Sequence, residues 1–338
     1  MEPDRRVLRR QLLAWYRARK RDLPFRRTRD PYAILVAEFV LQRTRVKAGL
    51  PYYERFLASF PTVRNLAAAS EMEVLRVWEG LGFYNRARNL HRASKAIVDR
   101  HDGEVPSDLA ALKALPGIGD YTAGAVGSIA FGLRAPAVDG NVIRVVARVF
   151  RIADYVTRGP AKERVKEVAA ELVPDEAPGE WNQAVMELGA IVCVPRVPKC
   201  PDCPISSECL AFASGVQASL PVRPTKPRVP VVRVAFVVAE DEGHVFLVRK
   251  GEGLHAGMYR ESGEDAVRRH LRALGLRPVR VERFAPVSHR FSHLRWEGWA
   301  YRCRAAGEAR AGEWIALDRL SHVPLIPFHR RLLASAVR

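Results

Sequence analysis

Leu115-Pro-Gly-Ile-Gly-Asp-Tyr-Thr-Ala123 is the stretch that decides the fold of this chain. It lies between two segments whose apolar residues recur at helical spacing. Pro116 ends the first segment, because its ring cannot continue the helical ladder, and Gly117 and Gly119 permit a tight turn. The backbone N–H groups that open the next helix are then free to bind an anion. Gly-x-Gly alone is common in helix–helix turns; its continuation into Thr122-Ala-Gly-Ala125 makes the run more specific. Downstream stands Val138-Asp139-Gly140-Asn141-Val142, which places a carboxylate in a short loop.

Farther along, Cys193, Cys200, Cys203 and Cys209 are spaced C-x6-C-x2-C-x5-C in a segment rich in Pro and Lys. Four thiolates so close in sequence can close a tetrahedral sulfur shell around one inorganic centre. Zinc knuckles pair their cysteines as two C-x-x-C clips and ferredoxins use shorter gaps, so this spacing fits neither. The rival reading is a pair of disulfide hairpins in a secreted protein. A fifth, distant thiol at Cys303 and the non-secretory pattern after Glu2-Pro-Asp-Arg-Arg6 argue against it.

The 338 residues suffice for two or three domains, and a hydrophobic content of 48% excludes a disordered chain. No stretch approaches the length of a membrane span. The formal net charge of +18 implies a polyanionic partner. Ribosomal and membrane-surface proteins share that bias, so charge favours nucleic acid without identifying it.

Val7, Leu8, Leu12, Leu13, Trp15 and Tyr16 predict a first helix capped by Asp4, with Arg5, Arg6, Arg9, Arg10 and Arg17 on its polar face. Helices follow from Tyr32 to Asp99, with breaks expected at Pro51, Pro61 and Gly80-Leu-Gly82. They continue from Asp108 to about Val173 and again around Trp181 to Val192, so this part reads as all-α. Leu220-Pro-Val-Arg-Pro-Thr-Lys-Pro-Arg-Val-Pro230 is a stiff, cationic linker. Beyond it, Val231–Ala239 and His244–Val248 flank a hairpin signal, Glu264–Leu276 is a short helix, and Val281–Phe291 and Arg295–Cys303 are further strands. The expected division is 1–215, with a six-helix part at about 25–135 and a cluster part at 1–24 and 136–215, then a linker at 216–230 and an α+β domain at 231–338.

Hairpin, aspartate and cysteines in this order resemble the adenine DNA glycosylase (MutY) family of the helix–hairpin–helix base-excision repair superfamily. Trp78-Glu-Gly-Leu-Gly-Phe-Tyr84, Asn182-Gln-Ala-Val-Met-Glu-Leu-Gly189 and Phe291-Ser-His293 extend the resemblance over nearly the whole chain. It implies a multidomain fold: an all-α helix–hairpin–helix glycosylase core with a [4Fe-4S] cluster on its loop, and an α+β Nudix-like C-terminal domain. It implies a monofunctional glycosylase that hydrolyses the N-glycosidic bond of adenine opposite 8-oxoguanine or guanine. The partner would be double-stranded DNA containing a mismatch, and the protein a cytoplasmic, nucleoid-associated monomer with no membrane attachment.

Releasing adenine requires a proton donor near N7 and a carboxylate beneath the sugar as positive charge develops there. Glu38 sits in the apolar run Ile34-Leu-Val-Ala-Glu-Phe-Val-Leu41, where desolvation raises a carboxyl pKa and lets it hold a proton near neutrality. The resemblance assigns Glu38 as the general acid and Asp139 as the ionised partner of the oxocarbenium-like centre. Tyr121 stands where bifunctional relatives carry a Schiff-base lysine, so efficient strand cleavage is not expected. By resemblance, Cys193, Cys200, Cys203 and Cys209 hold the cluster and Gly117 and Gly119 contact the DNA backbone. Gln42, Arg43 and Phe83 fill the gap left by the flipped nucleotide. Arg26 and Gln183 line the adenine pocket, and Phe291, Ser292 and His293 inspect the opposite base. In the second domain, Arg269, Arg272 and Ala273 occupy the positions of Nudix metal-binding glutamates, so the domain is expected to bind and not to hydrolyse.

Arg43 stands where a second glutamine is usual, Phe25 where tryptophan is usual, and Phe83 where tyrosine is usual. Arg43 with Tyr121 resembles the thymine glycosylases of G/T mismatches, which is the alternative activity. A non-catalytic iron–sulfur DNA-binding protein is the second alternative, and retention of Glu38 and Asp139 argues against it.

Overall fold

Asp4 opens the first helix as its position predicts: its side chain accepts from the N–H groups of Arg6 at 2.8 Å and Val7 at 3.2 Å, ahead of α1 (Arg5–Arg19). The structure, a computed structural model, describes residues 2–156, 159–222, 229–250, 253–255, 257–259, 263–291, 294–307, 309–323, 325 and 327–336. The chain divides into two compact units, Met1–Val77 with Phe83–Thr225, and Trp78–Gly82 with Lys226–Arg338.

The first unit is helical. It contains α2 (Pro31–Leu41), α3 (Val46–Ser59), α4 (Val63–Ala68), α5 (Glu71–Trp78) and α6 (Asn85–Arg100). It continues with α7 (Leu109–Lys113), α8 (Asp120–Phe131), α9 (Gly140–Val149), α10 (Gly159–Leu172), α11 (Pro178–Ile191) and the short α12 (Leu210–Ala213). Helix α2 packs against α3, α6 and α8 and is buried along nearly its whole surface. A second core joins α1, α9, α10 and α11 through Leu8, Leu12, Val145, Val168, Trp181 and Leu188. The cysteine segment and α12 close one end of that core.

Two local expectations differ. Pro51 does not interrupt a helix; α3 runs through it. The ring removes one donor, and the carbonyl left over belongs to exposed Lys47, where water can satisfy it. The linker also begins later than residue 216. Val216 and Ser219 donate to the carbonyls of Ala211 and Val216, and Leu220 is buried in the first unit. Residues 223–228 of the linker lie outside the described residues.

The second unit is α+β. Its strands are β1 (Val231–Asp241), β2 (His244–Lys250), β3 (Gly253–His255), β4 (Gly257–Tyr259), β5 (Arg277–Arg290), β6 (Arg295–Ala306) and β7 (Glu313–Ala316). They form a sheet of order β3-β2-β1-β6-β5, with β4 added on β1 and β7 on β2. β1 and β6 pair in parallel, from Val231 opposite Arg295 to Glu240 opposite Arg304. Alternate residues of β1 feed two cores. Val234, Phe236 and Val238 face one that includes Leu332 and Leu333 of α14 (Pro327–Ala336). Ala235, Val237 and Ala239 face another that includes Val267 and Leu271 of α13 (Glu264–Ala273).

Candidate active site

Helix α2 delivers Glu38. Asp30 caps the helix by accepting from Tyr32 N–H at 3.0 Å, and Pro31 presets the first turn. Every side chain from Tyr32 to Val40 is buried except Glu38, the one acid on an otherwise buried stretch of helix. Glu38 keeps part of its surface open and lines a cavity with Ile34, Tyr121, Asp139, Gln183 and Met186. Burial raises its pKa to about 7; a hydrogen bond from Tyr121 opposes the shift and the charge of Asp139 adds to it.

Tyr121 is the second residue of α8, immediately after the hairpin. Burial and the neighbouring Glu38 and Asp139 hold its hydroxyl well above the usual tyrosine range, so it is a neutral donor. Asp139 is the N-cap of α9. Its Oδ1 accepts from the N–H groups of Asn141 and Val142, each at 2.8 Å, and its Oδ2 from the Asn141 side chain at 2.6 Å. Burial raises the Asp139 pKa, while those donors and the Arg144 guanidinium favour the carboxylate. Arg144, itself buried, donates to Asn141 Oδ1 at 2.8 Å and to the Cys193 carbonyl at 2.7 Å.

The hairpin separates its two glycines. Gly117 has φ +76° and a Cβ there would lie 2.5 Å from the Asn89 side chain. Gly119 has φ −99°, which any residue adopts, and faces open space. Only Gly117 is demanded by the turn; Gly119 leaves the start of α8 uncovered.

Gln42, Arg43, Phe83 and Arg86 line a second opening that shares Tyr121 and Asp139 with the first. Arg43 and Phe83 both take left-handed backbone, at φ +58° and +50°, and the Arg43 guanidinium lies 5.7 Å from the Phe83 ring. Phe83 is 55% exposed, which is costly for a phenyl ring facing water alone. Gln42 donates to Thr122 Oγ1 at 3.3 Å. Buried Arg86 holds this corner from behind, donating to the carbonyls of Phe39 at 3.0 Å, Val40 at 2.9 Å and Gln42 at the C-terminus of α2.

Arg26 and Gln183 both reach the first cavity, but neither is free. Gln183 Oε1 accepts from Tyr16 at 3.2 Å. Arg26 donates to Glu187 at 2.7 Å, and Arg21 grips the same carboxylate through two bonds of 2.7 and 2.6 Å. The Glu187 side chain is fully buried. Burial alone would raise its pKa, but the bonds from Arg21 and Arg26 outweigh it and bring it down to about 2. Sequence reasoning missed this triad and Arg144. The available signal was the one that identified Glu38: Glu187 is the lone acid in the buried part of its helix.

The four expected metal ligands come together. Cys193, Cys200, Cys203 and Cys209 line one small cavity with Val145, Val149, Leu188, Ile205 and Arg148. Burial raises the Cys203 thiol to about 12, and the other cysteines add to the shift when charged. Thiolates therefore persist here only against a cationic centre or a hydrogen-bond donor, and Arg148 Nη1 supplies one donor, 3.2 Å from Cys193 Sγ. Among the described residues, no His, Cys, Asp or Glu group is arranged to hold a single metal ion.

In the second unit, the Phe291 ring packs 4.5 Å from His289 and 4.4 Å from Trp296, and its N–H donates to the Leu294 carbonyl at 2.8 Å. Ser292 and His293 lie outside the described residues. Among the described residues no helix is long and apolar enough to cross a membrane.

Residues 36–175 match the family described as HhH-GPD superfamily base excision DNA repair protein. The chain is 42% identical over 233 residues to a rat adenine DNA glycosylase, covering 66% of this chain and 45% of that protein. It is 31% identical over 242 residues to an adenine DNA glycosylase of Buchnera aphidicola, covering 71% of this chain and 69% of the relative. The chain thus spans about half the length of the mammalian relative and two thirds of the bacterial one. Among solved structures, a thermostable thymine-DNA glycosylase superposes with a TM-score of 0.56 at 31% identity, covering 62% of this chain and 97% of that one.

Proposed function

This chain belongs to the adenine DNA glycosylase family of the HhH-GPD base-excision repair superfamily, and on that footing we propose that it hydrolyses the N-glycosidic bond of adenine mispaired with 8-oxoguanine or guanine in double-stranded DNA. The observation that carries this reading is Glu38, a carboxyl whose pKa lies at about 7 in a cavity shared with Tyr121 and Asp139.

The chemistry assigned to these residues is as follows. Glu38 gives its proton to N7 of a flipped adenine, and the C1′–N9 bond breaks with its electrons leaving on the purine. Asp139, whose carboxylate form three N–H donors favour against its burial, stabilises the positive sugar until water attacks C1′ and releases a proton to solvent. Tyr121 bonds to Glu38 and fixes its orientation. Neither Tyr121 nor any other cavity-lining residue is a lysine, which fits hydrolysis without a Schiff base. Exposed Phe83, with Arg43 over its ring, fits the space vacated by the flipped nucleotide. Arg26 and Gln183, anchored by Glu187 and Tyr16, form the base-side wall.

The four cysteines are assigned to a [4Fe-4S] cluster. An apolar cavity with four convergent thiols and one guanidinium donor suits a sulfur-ligated inorganic group, and that group would supply the loop with its missing core. The α+β unit is assigned as a Nudix-like domain that reads the opposite base through Phe291, Ser292 and His293 and lacks hydrolase carboxylates at Arg269, Arg272 and Ala273. Monomeric action in the cytoplasm is part of the same reading.

A second reading rests on Arg43, beside Phe83, and on the likeness to a thymine-DNA glycosylase structure. Excision assays on duplexes carrying A, T or U opposite G or 8-oxoguanine separate the two. The account predicts release of adenine, fastest opposite 8-oxoguanine, with Ser292→Ala shrinking that preference. Release of thymine or uracil in place of adenine would overturn it.

A further inference from the structure

Arg148 is among the largest fully buried side chains of the protein, at 1% exposure. Burying a guanidinium is expensive unless its donors are satisfied and its charge is answered. Its partners are carbonyls and a thiol, with no carboxylate among the described residues. Nη1 donates to Cys193 Sγ at 3.2 Å and to the Val194 carbonyl at 2.8 Å, and Nη2 to the Pro195 carbonyl at 2.9 Å. Nε turns the other way and donates to the Leu220 carbonyl at 2.9 Å. The remaining answer to the charge is the sulfur of the four cysteines. Gln217, three residues before Leu220, lines the same cavity with its amide oxygen buried and unpartnered.

One side chain thus ties the first cysteine turn to the point where the chain leaves the helical unit. Without the guanidinium, the carbonyls of Val194, Pro195 and Leu220 would lose their donor together. We propose that Arg148 is a positioning residue that joins the cysteine cavity to the root of the linker, so that residues 193–200 and 214–220 order and open as one unit. The proposal is independent of which base is excised, and its exchange measurement is independent of which metal the cysteines carry.

The test is hydrogen exchange on the full-length, metal-loaded protein at rising sub-denaturing urea. The bonded amides of Cys193 and Lys199 in the first segment, and of Val216 and Ser219 in the second, report each opening. The proposal predicts the same protection and the same urea dependence for both segments. Exchange of 214–220 faster than 193–200 by tenfold or more would overturn it. Arg148→Lys should accelerate both segments by about tenfold or more while α2 and α8 exchange as before. In iron-loaded protein, Arg148→Gln should lower the cluster reduction potential and Arg148→Lys restore part of the shift, because the charge beside Cys193 is lost and then returned. Unchanged exchange at 214–220 in Arg148→Lys, or equal potentials in Arg148→Gln and the unsubstituted protein, would contradict the proposal.

Discussion

Tyr121 hydrogen-bonds through its hydroxyl to the carboxyl of Glu38, joining the first turn after the hairpin to the one acid of helix α2. The same hydroxyl lies 3.6 Å from the Met186 sulfur, a much weaker acceptor. The bond favours ionised Glu38, yet burial wins and the pKa still reaches about 7. A general acid for neutral pH needs that balance: protonated before the reaction and acidic enough to give the proton up.

This arrangement costs stability. The folded chain holds the Glu38 proton between the ordinary value of 4.5 and about 7, where the unfolded chain has released it. The stabilisation from that proton is complete below the ordinary value and is lost as pH rises through the folded one. Glu38→Gln is neutral throughout, so it should be more stable than the unsubstituted protein above pH 7, by up to about 3 kcal/mol, and nearly equal to it near pH 4. Thermal melts at the two pH values check this; a variant less stable at the higher pH would contradict it.

Glu187 behaves oppositely. Its pKa is held down to about 2 by Arg21 and Arg26 against its own burial, so its stabilising effect is present above the ordinary carboxyl value and is lost as pH falls toward the folded one. Glu187→Gln strands two guanidinium groups on the cavity wall. Breaking such a buried pair costs about 3–5 kcal/mol, read as a lowered urea midpoint at neutral pH. A loss below 1 kcal/mol would mean that Arg21 and Arg26 find other acceptors.

The two hairpin glycines should respond differently. Gly117→Ala forces a side chain into left-handed backbone and against Asn89, at a cost of at least about 1–2 kcal/mol. Gly119→Ala meets open space and ordinary φ, so the protein should fold normally. If a DNA phosphate approaches the start of α8, the added methyl should weaken duplex binding all the same. Equal melting temperatures for the two variants would contradict the difference in backbone demand.

Much of this was legible in the sequence because the signals were local. Asp4 precedes an amphipathic helix and Asp30 an apolar one, the hairpin glycine sits at its turn, and Glu38 stands alone in an apolar run. The four cysteines converge because seventeen residues contain them all. What escaped depends on pairs distant in the chain. Arg21 and Arg26 meet Glu187 across more than 160 positions, and Arg86 finds the end of α2 across more than 40. A basic residue in a helix reads as a solvated face until the carbonyls it serves are known. Asp139 reads from the sequence as a loop carboxylate, although Asp followed by Gly-Asn and an apolar run is also a capping signal. The parallel pairing of β1 and β6 is invisible to strand periodicity, which reports faces and not neighbours.

The cysteine cavity should yield a brown protein with about four iron atoms per chain. Cys200→Ala should give poor soluble yield, since the loop would lose its organising centre. Stoichiometric tight zinc with no broad visible absorption would overturn the cluster assignment while leaving the glycosylase reading intact.

The most direct measurement of the central claim is single-turnover release of adenine from an A:8-oxoguanine duplex, followed from about pH 5.5 to about 9 for the unsubstituted protein and Glu38→Gln. The account predicts a rate that falls as Glu38 ionises, with a midpoint at about 7. It predicts a Glu38→Gln rate lower by roughly 10²–10⁴-fold and without that decline, at near-normal duplex binding. Near-normal turnover by Glu38→Gln, or an unsubstituted rate that rises through pH 7, would show that Glu38 is not the acid.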